Sequence, residues 1–342
     1  MRIAVVGAGS WGTTVASLAA ERHDTTLWAR EPEVVDAVTE RAENTMFLPD
    51  VALPPSLRAT GDLDVAVADA DVVVMAVPAQ HLRGVAERLA PLLDARRVVV
   101  SLAKGIERGT LRRPSEVLRD VLDGVPEARI GVLSGPNLAR EVSAGQPSAT
   151  VVAMADHDAA RDVQGALLSD RFRVYTSTDV VGCEIGGAVK NVIAIAAGAA
   201  DGLGFGWNAR AALITRGLAE LTRLGVALGG DPLTFLGLAG NGDLIATCSS
   251  PQSRNRRFGV ELGNGRTTDE ILGEMKMVAE GVASAPAVLE LAAGVGVEMP
   301  IATEVAAMLR GEKSPADVVA ALMRRGATSE LHDLPAPAPG RG

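Results

Sequence analysis

Six short runs of β-branched and small apolar residues, each followed by a helix-like stretch, constrain what the first half of this chain can become. They are Ile3–Gly7 (IAVVG), Thr25–Ala29 (TTLWA), Asp71–Pro78 (DVVVMAVP), Arg97–Ala103 (RVVVSLA), Arg129–Pro136 (RIGVLSGP) and Ser148–Met154 (SATVVAM). Most are apolar without alternation, so both faces need cover, and strands covered on both faces belong to a parallel sheet between layers of helix. After about Thr178 the pattern changes. One long helical segment begins near Asp179, a suitable N-cap, and further helical stretches run from about Arg210 to Leu228 and from Thr268 to Ala293. No strand of comparable strength follows. The expectation is an α/β, doubly wound parallel sheet over residues 1–180, an all-α domain over 181–330, and a disordered Pro/Ala/Gly-rich tail over 331–342.

With 342 residues, 47% of them hydrophobic and 22% charged, the chain is long enough for two cores and lacks the composition of a disordered protein. Its formal net charge of −9 excludes a general affinity for nucleic acid or an anionic membrane surface, either of which needs a dominant basic field. Cys183 and Cys248 are the only cysteines, so no disulfide framework is expected, nor is a metal site. The chain opens on strand-like residues without a basic-then-apolar leader, and its longest apolar stretch, Val192–Ala200, is too short to span a bilayer. These features read as a cytoplasmic protein without membrane insertion.

The first run leads into GAGSWG, with Gly7, Gly9 and Gly12 at the spacing of a phosphate-binding turn. One glycine serves the tight turn, one the close approach of a pyrophosphate, and one the packing of helix on strand. Because the motif follows a strand and opens a helix, it marks a Rossmann-type dinucleotide site, with the N–H groups of Ser10 and Trp11 as pyrophosphate donors. The Trp11 indole either contacts the cofactor or packs on the sheet. Where an acidic residue at the end of the second strand marks NAD, this chain has Arg30, whose guanidinium suits a 2′-phosphate, with Glu31 beside it. That favours NADPH, or use of both NADPH and NADH, over strict NADH.

Ligands of open α/β sheets gather beyond the carboxyl ends of the strands. Three segments there carry polar groups and are expected to face one crevice: VPAQH with Pro78 and Gln80 shaping it, LAKGIE with Lys104, and SGPNLA with Gly135, Asn137 and Ala139. In the second half, GAVKNVIAIAAG places Lys190 in the middle of an otherwise small and aliphatic helix, where desolvation suits a lysine to proton transfer. Farther on, Gly240–Gly259 reads as a Gly-rich polar turn region gathering Asp243, Thr247, Ser253, Arg254, Asn255, Arg256 and Arg257. Ser253, Arg254 and Asn255 together suit a phosphate through hydroxyl, guanidinium and amide donors.

From GAGSWG to about MRRGAT the chain resembles the NAD(P)-dependent glycerol-3-phosphate dehydrogenases of the bacterial type. GAVKNVIAIAAG is similar to that family's signature helix, and LAKGIE, SGPN, GNGDLIATC and SRNRRFG fall in its order. The resemblance implies reduction of dihydroxyacetone phosphate to sn-glycerol 3-phosphate by hydride from NAD(P)H, a supply for phospholipid synthesis, and a homodimer. It implies that Lys190 is the general acid/base, that Lys104 touches cofactor and substrate, and that Asp243 and Thr247 orient Lys190 and the substrate hydroxyl. Ser253, Arg254 and Asn255 take the phosphate or neighbouring oxygens, with Arg254 reaching the cofactor as well. Gly135 and Asn137 fall on substrate positions and Ala139 on a cofactor position, while Val278 and Glu280 in MVAEG match a segment that closes over the nicotinamide. Asn137 departs from the Ser or Thr of the pattern, though its amide can still donate.

The rival reading is another two-domain dehydrogenase acting on a 3-hydroxy acid or sugar acid, which would also carry a lysine on the long helix. The Ser253–Asn255 cluster favours a phosphorylated substrate. A regulator that binds NAD(P) without turnover would leave Lys190 and Asp243 without a purpose.

Overall fold

The computed structural model describes residues 1–275 and 279–326; Val278 and the 331–342 tail lie outside the described residues. The chain divides into two compact units, Met1–Glu184 and a second beginning at Ile185.

The first unit contains β1 (Arg2–Val6), α1 (Ser10–Ala20), β2 (Asp24–Trp28), α2 (Pro32–Arg41), β3 (Glu43–Asn44), β4 (Leu48–Ala52), β5 (Arg58–Thr60), α3 (Leu63–Val67), β6 (Val72–Met75) and α4 (Ala79–Leu89). It continues with β7 (Val98–Ser101), α5 (Pro114–Val121), β8 (Ile130–Ser134), α6 (Ala139–Ser143), β9 (Ser148–Ala153), α7 (His157–Leu167) and β10 (Phe172–Ser177). The eight-stranded sheet runs β10-β9-β8-β7-β6-β1-β2-β5. Its unbroken apolar strands are buried on both faces as their composition requires: Ile3 and Val5 enter one core while Ala4 and Val6 enter the other. Since β2 lies on one side of β1 and β6 on the other, the strand order reverses between β1 and β6. The GAGSWG turn therefore sits at the switch point of the sheet.

The Rossmann-like arrangement agrees with the expected class, with differences at its edges. β9 runs antiparallel to β8, so the start of β9 lies beside the end of β8 and binds the Gly135–Asn137 segment. Strand β10 escapes notice in the sequence because it alternates buried and exposed residues, and β5 because it is three residues long. The β3–β4 hairpin was likewise not foreseen.

Helix α8 (Val180–Gly202) follows β10, and its 23 residues span about 35 Å. It starts where the Asp179 carboxylate accepts the Gly182 N–H at 2.8 Å, an N-cap that satisfies one of the open donors. The whole helix is longer than its most apolar run and is long and apolar enough to cross a membrane, but 89% of its most apolar window is buried inside the protein, as in a core helix. The second unit continues with α9 (Trp207–Ala227), α10 (Pro232–Leu236), a π-helical turn over Leu238–Gly242, α11 (Asp243–Ser249) and α12 (Arg254–Gly263). It ends with α13 (Thr268–Glu274), α14 (Glu280–Gly294), α15 (Pro300–Leu309) and α16 (Pro315–Met323).

Two expectations change here. The stretch from Thr268 to Ala293 is two helices, since Met275 and Ala279 both adopt extended backbone angles. The region read as a polar turn, Gly240–Gly259, is mostly helical, because its glycines serve packing more than turning. A Cβ on Gly198 of α8 would lie 2.0 Å from the Arg256 carbonyl oxygen, and one on Gly259 of α12 would lie 2.1 Å from that of Ile195. The two helices thus cross in backbone contact.

Candidate active site

In the first unit the three motif glycines have separate jobs. Gly7 has φ +120°, and a Cβ there would meet the Ala76 carbonyl oxygen at 2.6 Å, so the turn hugs β6. A Cβ on Gly12 would sit 2.0 Å from the Gly7 oxygen, which presses α1 onto the turn. A Cβ on Gly9 would meet nothing within 4 Å, leaving open space above the one glycine whose bareness the protein itself does not use. Gly9 is the N-cap of α1, no side chain caps that helix end, and its first turn carries no acid, so the first N–H groups are presented as anion donors.

The unforeseen β3–β4 hairpin braces this turn. Fully buried Asn44 donates from Nδ2 to the Ala8 carbonyl at 2.9 Å and to Thr13 Oγ1 at 2.8 Å, and its Oδ1 accepts the Phe47 N–H. Ser10 Oγ donates to the Phe47 carbonyl at 2.5 Å. Asn44 and Phe47 thus brace the turn and were missed by sequence reasoning; Asn44 stands between Glu43 and Thr45, so its local sequence gave no signal. Trp11 resolves toward packing, its ring 6.2 Å from that of Phe172 on β10. Its Nε1 is buried and has no hydrogen-bond partner among the described residues.

Arg30 stands two residues beyond β2 with its side chain 81% exposed, donating through Nε and Nη2 to Glu31 Oε1 at 3.0 and 2.7 Å. The loops after β7 and β8 meet: Lys104 Nζ donates to the Gly135 carbonyl at 3.0 Å. Gln80 shapes this rim by donating to the Ile106 carbonyl and accepting the Arg108 N–H. Asn137 is turned toward β9, donating to the Ala149 carbonyl at 3.0 Å and accepting from Thr150 Oγ1 at 2.8 Å. Ala139 opens the short helix α6.

In the second unit, Lys190 on α8 is buried, as its apolar helix implies, and Nζ donates to Asp243 Oδ1 at 2.5 Å and Thr247 Oγ1 at 2.8 Å. Asp243 and Thr247 lie one helical turn apart on α11, so they present one face, and the Thr247 hydroxyl donates on to Asp243 Oδ1 at 3.3 Å. The π-helical turn delivers Asp243 to this position: the Gly242 N–H reaches back five residues to the Gly237 carbonyl. A buried ammonium held by a carboxylate and a hydroxyl is a positioned proton donor. The nearby thiol of Cys248, and that of Cys183 in the first unit, are both pushed up to about 12 by burial, which leaves neither as a nucleophile.

The Ser253–Arg254–Asn255 triplet proves to be a helix start. Ser253 Oγ caps α12 by accepting the Arg256 N–H, and Asn255 spends both ends of its amide on Asn191 Oδ1 and the Gly281 N–H, each at 2.9 Å. Arg254 alone of the three has an exposed side chain, without a hydrogen bond or ion pair among the described residues. Arg256, gathered with them in the sequence, is paired together with Arg210 on Asp201. Glu280 opens α14.

A parallel sheet with an uncapped helix at its switch point is the architecture of dinucleotide-dependent oxidoreductases, and a buried proton donor in a helical unit suits one that works on an alcohol or carbonyl. The chain matches the N-terminal part of the NAD-dependent glycerol-3-phosphate dehydrogenase family over residues 2–160 and its C-terminal part over 179–320, and it belongs to that family. It is 54% identical over 335 residues to a glycerol-3-phosphate dehydrogenase [NAD(P)+] of Thermobifida fusca, covering 97% of this chain and 99% of that one. It is 51% identical over 332 residues to one from Sphingopyxis alaskensis, with the same coverage. The crystal structure of glycerol-3-phosphate dehydrogenase from Coxiella burnetii superposes with a TM-score of 0.90 at 39% identity, covering 95% of this chain and 99% of that one.

Proposed function

We propose that this chain reduces dihydroxyacetone phosphate to sn-glycerol 3-phosphate, reversibly, with NADPH or NADH. The buried Lys190–Asp243–Thr247 cluster supports the reading most strongly, since it holds a proton donor where water is excluded. The cofactor fits what the first unit offers: open space over Gly9, the uncapped start of α1 for the pyrophosphate, and exposed Arg30 for a 2′-phosphate. When bound, the nicotinamide supplies the hydride. Ser10, Trp11, Lys104, Ala139, Arg254, Val278 and Glu280 complete the proposed cofactor set.

Lys190 donates its proton to the carbonyl oxygen as charge develops there and takes it back in the reverse direction. Asp243 holds the ammonium in place and balances its charge, and Thr247 fixes the direction of its N–H groups. The substrate phosphate is proposed to lie at the start of α12, where Arg254 supplies a guanidinium and the backbone N–H groups of Arg254 and Asn255 are helix-end donors. In this arrangement Ser253 contributes by capping the helix. Lys104 and Gly135 are proposed to meet the substrate as well, with Asn137 bracing their loop.

Arg30 would hold the 2′-phosphate of NADPH in place of its present partner Glu31, and with NADH the Arg30–Glu31 pair would remain. By resemblance to the family we further propose a cytoplasmic homodimer that supplies phospholipid synthesis; the burial of α8 agrees with a protein that does not insert into membranes.

The test is oxidation of NADPH by purified protein on addition of dihydroxyacetone phosphate. No consumption with that substrate, but turnover with a hydroxy-acid or sugar-acid pair, would overturn the assignment. Lys190→Ala should lower kcat by about 10²-fold or more while NADPH still binds. Arg30→Ala should raise KM for NADPH by about tenfold or more and leave NADH nearly unchanged, because only a charge-assisted contact worth about 1.5–3 kcal/mol is lost.

A further inference from the structure

We propose that a second cavity, on the first unit, binds a small soluble phosphomonoester. It has a volume of about 450 Å³ and is lined by Arg22, Arg171 and Arg173 together with Ser148, Ser169 and Asp170. Small-molecule sites occupy roughly 300–1,000 Å³, so the space suits a phosphate with a short carbon skeleton attached. None of the residues assigned above to cofactor or substrate lines it.

Charge points to the ligand. Three guanidiniums line the cavity against one carboxylate, that of Asp170, and among the described residues none of the three arginines has an ion-pair partner. Elsewhere in the same unit Arg58, Arg83, Arg96, Arg113 and Arg119 are all paired with acids. Like charges gathered without a counter-ion repel one another, and a dianion held by guanidinium forks relieves that repulsion. The formal net charge of −9 over the whole chain opposes an extended polyanion, which leaves a small one. The lining is also fixed in advance. The turn between α7 and β10 is closed by Ser169, whose N–H donates to the Phe172 carbonyl and whose Oγ accepts the Phe172 N–H, each at 3.0 Å. Arg22 Nη2 donates to the Leu168 carbonyl on one side of this turn, and on the other the Ser148 N–H donates to the Arg171 carbonyl at 2.8 Å. A Cβ on Gly145 would lie 2.6 Å from Arg171 Nη1, so this guanidinium rests on bare backbone just after α6. Donors held in place before binding lose little freedom on binding.

The experiment is calorimetric titration of the full-length protein with glucose 6-phosphate and, separately, with inorganic phosphate. It is repeated on Arg171→Ser, Arg173→Ser and, as a control, Arg161→Ser, which removes an exposed arginine of α7 that does not line the cavity. Glucose 6-phosphate should bind the parent, and Arg171→Ser and Arg173→Ser should each raise its Kd about tenfold or more by removing a charge-assisted contact. Arg161→Ser should stay within about twofold, because it changes only the net charge. All three arginines are exposed, so thermal unfolding should be unchanged in every variant. Absence of binding to the parent overturns the proposal, as does an equal loss in all three variants, which would place the anion elsewhere. Inorganic phosphate binding as tightly as glucose 6-phosphate also overturns it, leaving a site for the bare ion. Because binding is read without turnover, none of these results depends on the dehydrogenase assignment.

Discussion

Replacing Asp243 by Asn tests the central pair without changing its size. At an effective dielectric constant of about 20, unit charges separated by the 2.5 Å of the Lys190–Asp243 contact attract by roughly 7 kcal/mol. Desolvation offsets most of that, because the two side chains are only 7% and 2% exposed. Losing one partner, however, leaves the other charge buried and uncompensated, which costs about 3–5 kcal/mol. For a unit of this size each kcal/mol shifts the midpoint by about 2–4 °C, so Asp243→Asn should lower Tm by roughly 10 °C. Lys190→Met in the same chain should restore most of that loss by removing the stranded charge. Activity should behave differently: Asp243→Asn and the double variant should both be nearly inactive, because the proton donor is misplaced in one and absent in the other. Thermal scans paired with NADPH oxidation separate the two quantities. A Tm for Asp243→Asn within about 1 °C of the parent, or recovery of turnover in the double variant, would refute the reasoning.

The glycine turn gives a paired prediction. Gly9→Ala should leave Tm unchanged and raise Kd for NADPH at least tenfold, because its methyl enters space that the protein leaves empty. Gly12→Ala should destabilise by about 1–3 kcal/mol or more, since its methyl has no room beside the Gly7 oxygen; denaturant titration and cofactor binding distinguish the two, and a stable Gly12→Ala protein would contradict the geometry. A third prediction concerns pH. Glu220 accepts the Ile301 N–H at 2.6 Å and the Ala302 N–H at 3.3 Å at the start of α15, and burial pushes its carboxyl up to about 7. The folded state thus binds this proton more tightly than the unfolded one, and stability conferred at pH 4.5 and below declines as pH rises toward about 7, by about 3 kcal/mol. Glu220→Gln should flatten that decline in unfolding free energies measured between pH 5 and 8, and an unaltered slope would remove Glu220 as its source.

How much was legible from the sequence depended on how locally each feature is encoded. The valine runs of β1, β6 and β7 announce themselves because burial on both faces leaves no polar residue to confuse them. Edge strand β10, exposed at Arg173, Tyr175 and Thr176, looks like any mixed segment. Lys190 stood out by contrast with its neighbours, yet its pairing with a residue 53 positions away emerges only from the fold. Helices α11 and α12 read as a turn in the sequence because glycine and serine signal irregular backbone, whereas here Gly259 is needed for contact with α8. The side-chain bonds of Asn255 were hidden from the sequence for a similar reason. Residue type shows that an amide can donate, but not that its bonds are already committed to Asn191 and Gly281. Nothing local, finally, tied Asn44 and Phe47 to a turn more than thirty residues earlier.

The π-helical turn before Asp243 carries a constraint on length as well as on composition. A five-residue closure holds one residue more than the α-helical repeat requires, and each residue in a helix advances the chain by about 100° and 1.5 Å. Deleting a single residue between Leu238 and Gly242 would remove the Gly242–Gly237 closure that sets where α11 begins, and so disturb the placement of the Asp243 carboxylate and the Thr247 hydroxyl together. Gly240 in this turn leaves no room for a side chain, since a Cβ there would lie 2.3 Å from the Phe235 carbonyl oxygen, and a change in residue count has no side chain to absorb it at all. In this part of the chain the spacing is itself a functional character, and insertions or deletions should be excluded from it wherever the lysine is used.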